Sequence, residues 1–285
     1  MTNSAGTTWW VWTIESPDAE SLGVEAIEGG ASGVEVVSSS CLRIFATATD
    51  EAQRHYLDQA FAALGGTVVG CEAVPGRNWV QEAADNWSSL TIGALDIIPV
   101  LDSAGDVPSP KENQLLINPG TGFGTGHHPT THMVLELLQH PTVQTLRTKT
   151  PVLDLGTGSG ILALGASILF NTTVDAIEID PLALQNAHRN VVLNGAAGAR
   201  VTLIEGDLEA ARGPYPLILA NIYAEVLCDL EPGFSRLISP GGLLIVSGIM
   251  TSLEALVTEA YGAWGLLEIR RNGGWIALLF SAPQR

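Results

Sequence analysis

A glycine-rich run in the second half of the chain constrains its fold more than any other feature. The run Val152-Leu-Asp-Leu-Gly156-Thr-Gly-Ser-Gly160 starts with apolar residues and ends with three glycines at alternate positions. This pattern is typical of a buried strand that turns tightly into a helix, with backbone N–H groups open to a ligand. The run therefore predicts an α/β domain with a binding turn at the edge of a parallel sheet.

Apolar strand-like segments alternate with helical segments from about residue 151 onward. Near-continuous apolar strands separated by helices indicate a parallel sheet that is covered on both faces. Near the C-terminus, two strand-like segments flank Asn272-Gly-Gly and predict an antiparallel hairpin. The predicted strands are Val152–Leu155, Val174–Ile179, Val201–Glu205, Leu217–Asn221, Leu243–Ser247, Leu266–Arg271 and Trp275–Phe280.

The first 75 residues show a different order, β-α-β-β-α-β, which is the ferredoxin-like α+β unit. Its predicted strands are Trp10–Ile14, Gly33–Val37, Leu42–Ala46 and Thr67–Val74. No convergent catalytic set is visible in it, so we predict a substrate-recognition domain, with a stabilising appendage as the alternative. Three regions follow: the domain 1–75, a linker helix (Asn78–Leu90) and strand (Ile92–Val100) within 76–101, and a second domain 102–285.

The chain is acidic, with 13 Lys and Arg residues against 30 Asp and Glu residues and a formal net charge of −17. This charge disfavours tight binding of naked nucleic acid and favours a basic partner. No apolar stretch is long enough to span a bilayer, and no signal peptide precedes the first strand. The three cysteines, Cys41, Cys71 and Cys228, are scattered as in a reducing cytoplasm. We predict a cytoplasmic protein, monomeric by default.

Acidic residues follow the second and third strands, where a nucleoside could be recognised. Glu178 ends the second strand and can accept hydrogen bonds from both ribose hydroxyls, whereas Asp180 is better placed to cap the next helix. Asp207 follows the third strand and is a candidate for reading an adenine, with an ordinary surface acid as the alternative. A nicotinamide oxidoreductase is disfavoured because Ile161 replaces the third glycine of G-x-G-x-x-G.

The turn after the fourth strand, Ala220-Asn-Ile-Tyr223, resembles the Asn/Asp-Pro-Pro-Tyr turn of amino-methyltransferases, although both prolines are missing. The side-chain carbonyl of Asn221 could accept a hydrogen bond from an amine and direct its lone pair at a methyl carbon. Asn221 and Tyr223 are therefore the catalytic candidates. The alternative for Asn221 is a helix N-cap.

A second glycine-rich run, from Asn118 to His132, is too rich in glycine to serve packing and must bend or move. We predict that Phe123, Gly124 and Thr125 fold over a cofactor and that Thr131 contacts it from the start of a helix. His128 and His132 are four residues apart, but no third ligand is evident, so no metal site is predicted. A role for His127 or His128 as a base is left open.

These motifs resemble the ribosomal protein L11 methyltransferases (the PrmA family) along nearly the whole chain. The segments that carry the resemblance are Pro119-Gly-Thr-Gly-Phe-Gly-Thr-Gly-His-His-Pro-Thr-Thr131, Leu153-Asp-Leu-Gly-Thr-Gly-Ser-Gly-Ile-Leu-Ala163, Ile177-Glu-Ile-Asp-Pro181, Ala220-Asn-Ile-Tyr-Ala-Glu225 and Ser247-Gly-Ile249.

The resemblance implies a class I Rossmann-like methyltransferase domain with a seven-stranded sheet, and S-adenosylmethionine as cofactor. Cofactor contacts are implied at Thr131, Gly156, Glu178 and Asn221, and the motif adds Gly158. Glu178 departs from the family, which commonly has Asp there. The implied reaction is N-methylation of lysine amines and the N-terminal α-amine of ribosomal protein L11, a basic protein.

Two other classes of function compete with this interpretation. The first is a methyltransferase with the same catalytic domain that acts on another protein or amine. A small-molecule substrate is disfavoured, because a recognition domain of this size is not needed to hold one. The second is an RNA-binding factor, because ferredoxin-like sheets often bind RNA. It would require a basic groove with stacking aromatic residues, and the net charge of −17 opposes it.

Overall fold

The computed structural model describes residues 8–17, 19, 22–23, 26, 31, 33–38, 40–48, 51–63, 66–74, 88–100, 109–118, 126–149 and 151–283. The chain divides into two compact units, residues 1–82 and residues 83–285. The predicted linker helix lies outside the described residues except for its last three positions, where Leu90 already belongs to a strand. The predicted three-region boundaries stay a prediction.

The smaller unit contains the predicted ferredoxin-like sheet. Its strands are antiparallel and lie in the order β2-β3-β1-β4, and the helical residues Ala19, Leu22, Gly23 and Ala26 separate β1 from β2. Trp12 and Phe61 are fully buried and pack edge to face at 5.1 Å, so one aromatic pair joins sheet and helix. The elements are β1 (Thr8–Glu15), β2 (Gly33–Ser38), β3 (Cys41–Ala48), α1 (Glu51–Ala63) and β4 (Thr67–Val74).

The larger unit is built on the predicted seven-stranded sheet, in the order β10-β9-β8-β11-β12-β14-β13. The five strands from β10 to β12 are parallel, and β14 pairs antiparallel with both β12 and β13. The class I methyltransferase sheet with its C-terminal hairpin is thus confirmed. The strands are β8 (Val152–Leu155), β9 (Val174–Glu178), β10 (Val201–Glu205), β11 (Tyr215–Asn221), β12 (Ile238–Met250), β13 (Gly265–Asn272) and β14 (Trp275–Ser281).

Helices cover both faces of this sheet and create two hydrophobic cores. One core contains Leu135, Leu164 and Leu169, and the other contains Leu227, Phe234 and Tyr261. None of the described helices is long and apolar enough to cross a bilayer. The helices are α2 (Pro129–Leu137), α3 (Pro141–Gln144), α4 (Ile161–Phe170), α5 (Pro181–Leu193), α6 (Gly195–Gly198), α7 (Ala224–Leu237) and α8 (Glu254–Ala260).

A three-stranded sheet precedes the glycine-rich loop and differs from the sequence prediction. It consists of β5 (Leu90–Ile92), β6 (Leu95–Pro99) and β7 (Gln114–Ile117) in that order. The strand predicted for Ile92–Val100 is confirmed from Leu95 to Pro99, but its predicted start is wrong, because Gly93 turns the chain with φ +58° and Ile92 belongs to β5. Gln139 fastens this turn by accepting a hydrogen bond from the Ala94 N–H (2.6 Å) and donating one to the Ile92 carbonyl (2.9 Å).

Two buried asparagines occupy the open edge of β7. Asn194 accepts a hydrogen bond from the Leu116 N–H (2.9 Å) and donates one to the Leu116 carbonyl (2.7 Å). Asn190 makes the same pair of bonds with the N–H (2.6 Å) and carbonyl (3.1 Å) of Asn118. Asn190 also donates to the carbonyl of Ser159 (2.8 Å). Asn118, the first residue of the second glycine-rich run, is therefore linked through Asn190 to the turn after β8.

Candidate active site

The candidate site lies at the carboxyl ends of the central strands β8 and β11. Helix α4, which follows β8, packs into one core, and helix α7, which follows β11, packs into the other. The chain therefore leaves the sheet in opposite directions after these two adjacent strands. Such a switch point opens a crevice in which α/β sheets commonly bind ligands.

The turn after β8 has a backbone that only glycine readily adopts. Gly156, Gly158 and Gly160 have φ values of +69°, +55° and +82°. A Cβ atom on Gly156 would lie 2.6 Å from the Cγ2 atom of Ile222, in the turn after β11. The close approach of the two turns thus depends on glycine. Contrary to the sequence prediction, the N–H groups of both glycines have partners within the fold: Gly156 donates to the Ile177 carbonyl (2.9 Å) and Gly158 to the Glu178 carboxylate (2.8 Å). That this turn brings backbone close to a nucleoside cofactor stays a prediction.

Glu178 ends β9 beside this turn, and its carboxylate is held by three backbone donors. Oε2 accepts the Gly158 N–H (2.8 Å), while Oε1 accepts the N–H groups of Ile179 (2.9 Å) and Asp180 (3.0 Å). A carboxylate offers about four acceptor positions, so roughly one is left for a ribose hydroxyl. The residues present therefore fit S-adenosylmethionine.

Asp154 lies beneath the turn and is fully buried. Its Oδ2 atom accepts hydrogen bonds from the Thr157 hydroxyl (2.6 Å) and the Ala163 N–H (3.0 Å), whereas Oδ1 has no partner among the described residues. Desolvation raises the pKa of this carboxyl to about 7 despite these two bonds. Asp154 is not among the predicted site residues, although an Asp inside an apolar strand run was a usable signal.

The burial of Asp154 predicts a pH-dependent stability. The carboxyl has a pKa of about 3.9 when unfolded, so between about pH 4 and pH 7 the folded protein holds a proton that the unfolded chain has lost. Its contribution to the free energy of unfolding therefore decreases as the pH rises. Relative to Asp154→Asn, the wild type should lose roughly 2 kcal/mol from about pH 5 to about pH 8 in urea unfolding. Parallel curves would contradict this assignment.

Asn221 faces the start of helix α2, and this brings together two residues predicted for the site. Its Nδ2 atom donates to the hydroxyls of Thr130 (3.3 Å) and Thr131 (3.4 Å), which are both buried. Asn221 does not cap α7, because the N-cap of that helix is Tyr223, which forms no side-chain capping bond. The helix-cap alternative for Asn221 is thus wrong.

The other predicted residues lie in varied places. The Tyr223 side chain is 55% exposed at the start of α7. Asp207 caps a short 3-10 helix by accepting the Glu209 N–H (3.0 Å), so its carboxylate already has a local partner. Asp180 caps α5, as predicted. Phe123, Gly124 and Thr125 lie outside the described residues.

The histidines of this region contact neighbouring side chains. His132 lies 3.5 Å from Glu136, and Nδ1 of His128 lies 2.7 Å from the Thr130 hydroxyl. Within the described part of the chain, no three His, Cys, Asp or Glu side chains are grouped as metal ligands would be. Thr130 is not among the predicted site residues, although its hydroxyl was expected near that of Thr131 at the start of a predicted helix.

This sheet order, with a glycine turn, a strand-end acid and an Asn-Ile-Tyr turn, defines a class I methyltransferase. The family model of ribosomal protein L11 methyltransferase (PrmA) matches residues 13–283, so the chain belongs to this family. The chain is accordingly a methyltransferase that uses S-adenosylmethionine.

Individual relatives agree with this family. The L11 methyltransferase of Geobacter sulfurreducens is 35% identical over 260 residues, which cover 87% of this chain and 84% of that protein. The one from Pelobacter propionicus is 38% identical over 216 residues, covering 74% and 69%. The crystal structure of the L11 methylase from Lactobacillus delbrueckii subsp. bulgaricus is 28% identical with a TM-score of 0.57, covering 70% and 99%.

Proposed function

We propose that this chain transfers methyl groups to lysine side-chain amines and the N-terminal α-amine of ribosomal protein L11. The names of its relatives support L11 as the substrate. The observation that carries the amine chemistry is the position of Asn221, whose amide is held at the carboxyl end of β11 beside the glycine turn. The alternative is a different protein or amine substrate for the same site.

The side chains of the site divide the work of binding and orientation. When bound, S-adenosylmethionine supplies an electrophilic methyl group on a sulfonium centre. Gly156, Gly158 and Glu178 would hold its nucleoside part, and Thr131 lies at the start of α2 beside Asn221. The Asn221 Oδ1 atom accepts an N–H of the neutral amine, which directs the nitrogen lone pair into the site. Tyr223, exposed two residues after Asn221, would pack its ring against the apolar stem of a lysine.

The charge of the chain supports a basic protein partner. With a net charge of −17, the enzyme attracts a substrate rich in lysine and repels naked nucleic acid. The ferredoxin-like unit would grip the substrate, while the Phe123–Thr125 loop closes over the cofactor, and Asp207 reads the adenine. We place the enzyme in the cytoplasm, where L11 is made, as a monomer without a membrane partner.

The test is to incubate the purified chain with S-adenosylmethionine and free L11, and then to measure the intact mass of L11. We expect mass increases in multiples of one methyl group, absent without the cofactor, and peptide mapping should place them on lysines and the N-terminus. Calorimetry should be run in parallel. If S-adenosylmethionine binds but L11 gains no mass, the substrate assignment is wrong and the alternative of another substrate stands.

A further inference from the structure

A chain of hydrogen bonds connects Asn221, the residue proposed to orient the amine, with His128 at the N-terminus of α2. Asn221 Nδ2 lies 3.3 Å from the Thr130 hydroxyl, which in turn lies 2.7 Å from Nδ1 of His128. Thr130 is 1% exposed, and His128 packs edge to face against Trp275 at 5.1 Å. This chain joins the start of α2 to the end of β11 across 91 residues of sequence.

The donor and the acceptor of each hydrogen bond can be assigned by starting from the backbone N–H of Thr130. The backbone N–H of Thr130 points at Nδ1 of His128 (3.4 Å), and a backbone N–H can only donate. Nδ1 must therefore be the unprotonated nitrogen of a neutral imidazole. Burial lowers the pKa of His128 below its ordinary value, which favours the same neutral form.

The orientation of the asparagine amide follows in the next step. A threonine hydroxyl has one proton, and Thr130 donates it to His128, so its oxygen can only accept from Asn221. The group of Asn221 that faces Thr130 is thus the NH₂ group. Its carbonyl oxygen Oδ1 points the other way and has no hydrogen-bond partner among the described residues.

We propose that His128 and Thr130 are positioning residues that fix the rotation of the Asn221 amide, so that its carbonyl oxygen faces the amine substrate. This inference rests on the proposed function, which gives Asn221 the task of orienting the amine. Without these hydrogen bonds, the amide could rotate by half a turn and present its NH₂ group, which cannot accept an N–H from the substrate. His128 acts through Thr130 and Asn221 rather than as a base.

A purely structural role for His128 is the competing explanation, and the chain contains a matched control for it. His128 caps α2 in the sequence His128-Pro-Thr130, and His140 caps α3 in the same way in His140-Pro-Thr142, accepting the Thr142 N–H (3.2 Å). Among the described contacts, His140 pairs with Glu268 and not with Asn221. Substitution of His140 therefore removes a comparable helix cap without disturbing the hydrogen bonds between His128, Thr130 and Asn221.

The first test replaces Thr130 with Val, which keeps the shape and removes the hydroxyl. We expect kcat for L11 methylation to fall roughly 10-fold, because the amide then keeps only the Thr131 hydroxyl (3.4 Å), which can donate as well as accept and so does not fix the amide's orientation. The KM for L11 and the affinity for S-adenosylmethionine should each change less than about twofold. Thr130→Ser restores the hydroxyl and should restore kcat. A full kcat in Thr130→Val would overturn the proposal.

The second test combines variants of both residues. His128→Leu should lower kcat as Thr130→Val does, whereas His128→Asn keeps a capping acceptor and should recover most of it. The double variant His128→Leu/Thr130→Val should be no slower than either single variant, because the two residues act as one unit. If the losses of kcat in the two single variants multiply in the double variant, the two residues act independently and the proposal is wrong. An equal loss of kcat in His140→Leu would also contradict the proposal.

The same measurements separate the two levels of inference. If the wild type transfers no methyl group to L11, the proposed function is wrong, and so is the positioning role that rests on it. If the wild type is active and Thr130→Val lowers affinity for S-adenosylmethionine as much as kcat, the proposed function stands. In that case the positioning role is wrong, because the residue would serve cofactor binding.

Discussion

Replacing Asn221 with alanine is expected to lower the kcat of methyl transfer to L11 about 100-fold, the largest single effect we foresee at this site. The variant loses the acceptor that orients the amine and leaves the hydroxyls of Thr130 and Thr131 without their NH₂ donor. The affinity for S-adenosylmethionine, measured by calorimetry, should fall less than kcat. Single-turnover kinetics should show that the loss is in the chemical step.

Asn221→Asp is the informative companion to this variant. Aspartate keeps an oxygen towards the amine but has no donor for Thr130, so its activity should lie between those of the wild type and Asn221→Ala. Equal losses of kcat and cofactor affinity in Asn221→Ala would show that the residue binds cofactor rather than orienting the amine.

Replacing Glu178 with alanine should weaken S-adenosylmethionine binding about 10- to 100-fold. The variant removes the acceptor predicted for a ribose hydroxyl. It also leaves the N–H groups of Gly158, Ile179 and Asp180 without the carboxylate that holds the turn in shape. Calorimetric titration of the cofactor measures the change directly.

Asp180 offers the matched control for Glu178, because it is a second acid two residues away with a different task. Its carboxylate caps α5 by accepting the Leu182 N–H (2.9 Å). Asp180→Ala should cost about 1 kcal/mol of folding stability and leave cofactor affinity nearly unchanged. If Glu178→Ala binds S-adenosylmethionine as tightly as the wild type, its ribose role is wrong.

The sequence predicted the main sheet because each of its strands is locally marked. Leu217–Asn221 and Leu243–Ser247 are apolar runs of strand length, and the glycines at 156, 158 and 160 stand where one strand must turn into a helix. Of the small sheet only the strand Leu95–Pro99 was predicted, and its two neighbours escaped prediction for an equally local reason. Gln114–Ile117 is only four residues long, and Gly93 did not stand out inside an apolar run.

The candidate site was predictable residue by residue but not as a set of contacts. Glu178 and Asn221 are each the last residue of a strand, so their place at the sheet edge could be inferred from the sequence alone. That Asn221 meets Thr130 depends on how α2 packs on the sheet, which no local pattern encodes. The orientation of the amide depends further on the imidazole of His128, so it becomes visible only in three dimensions.

The two asparagines that border β7 let a helix substitute for a missing strand. Four residues of helix rise about 6.0 Å and two residues of strand about 6.6 Å, so Asn190 and Asn194 match the spacing of Asn118 and Leu116. An insertion of one residue between Leu116 and Asn118 would change this spacing, so that both pairs could no longer form together. The hydrogen bonds of Asn190 and Asn194 also occupy the N–H and carbonyl groups through which an exposed strand edge could pair with a strand from another molecule. They therefore protect this edge against aggregation.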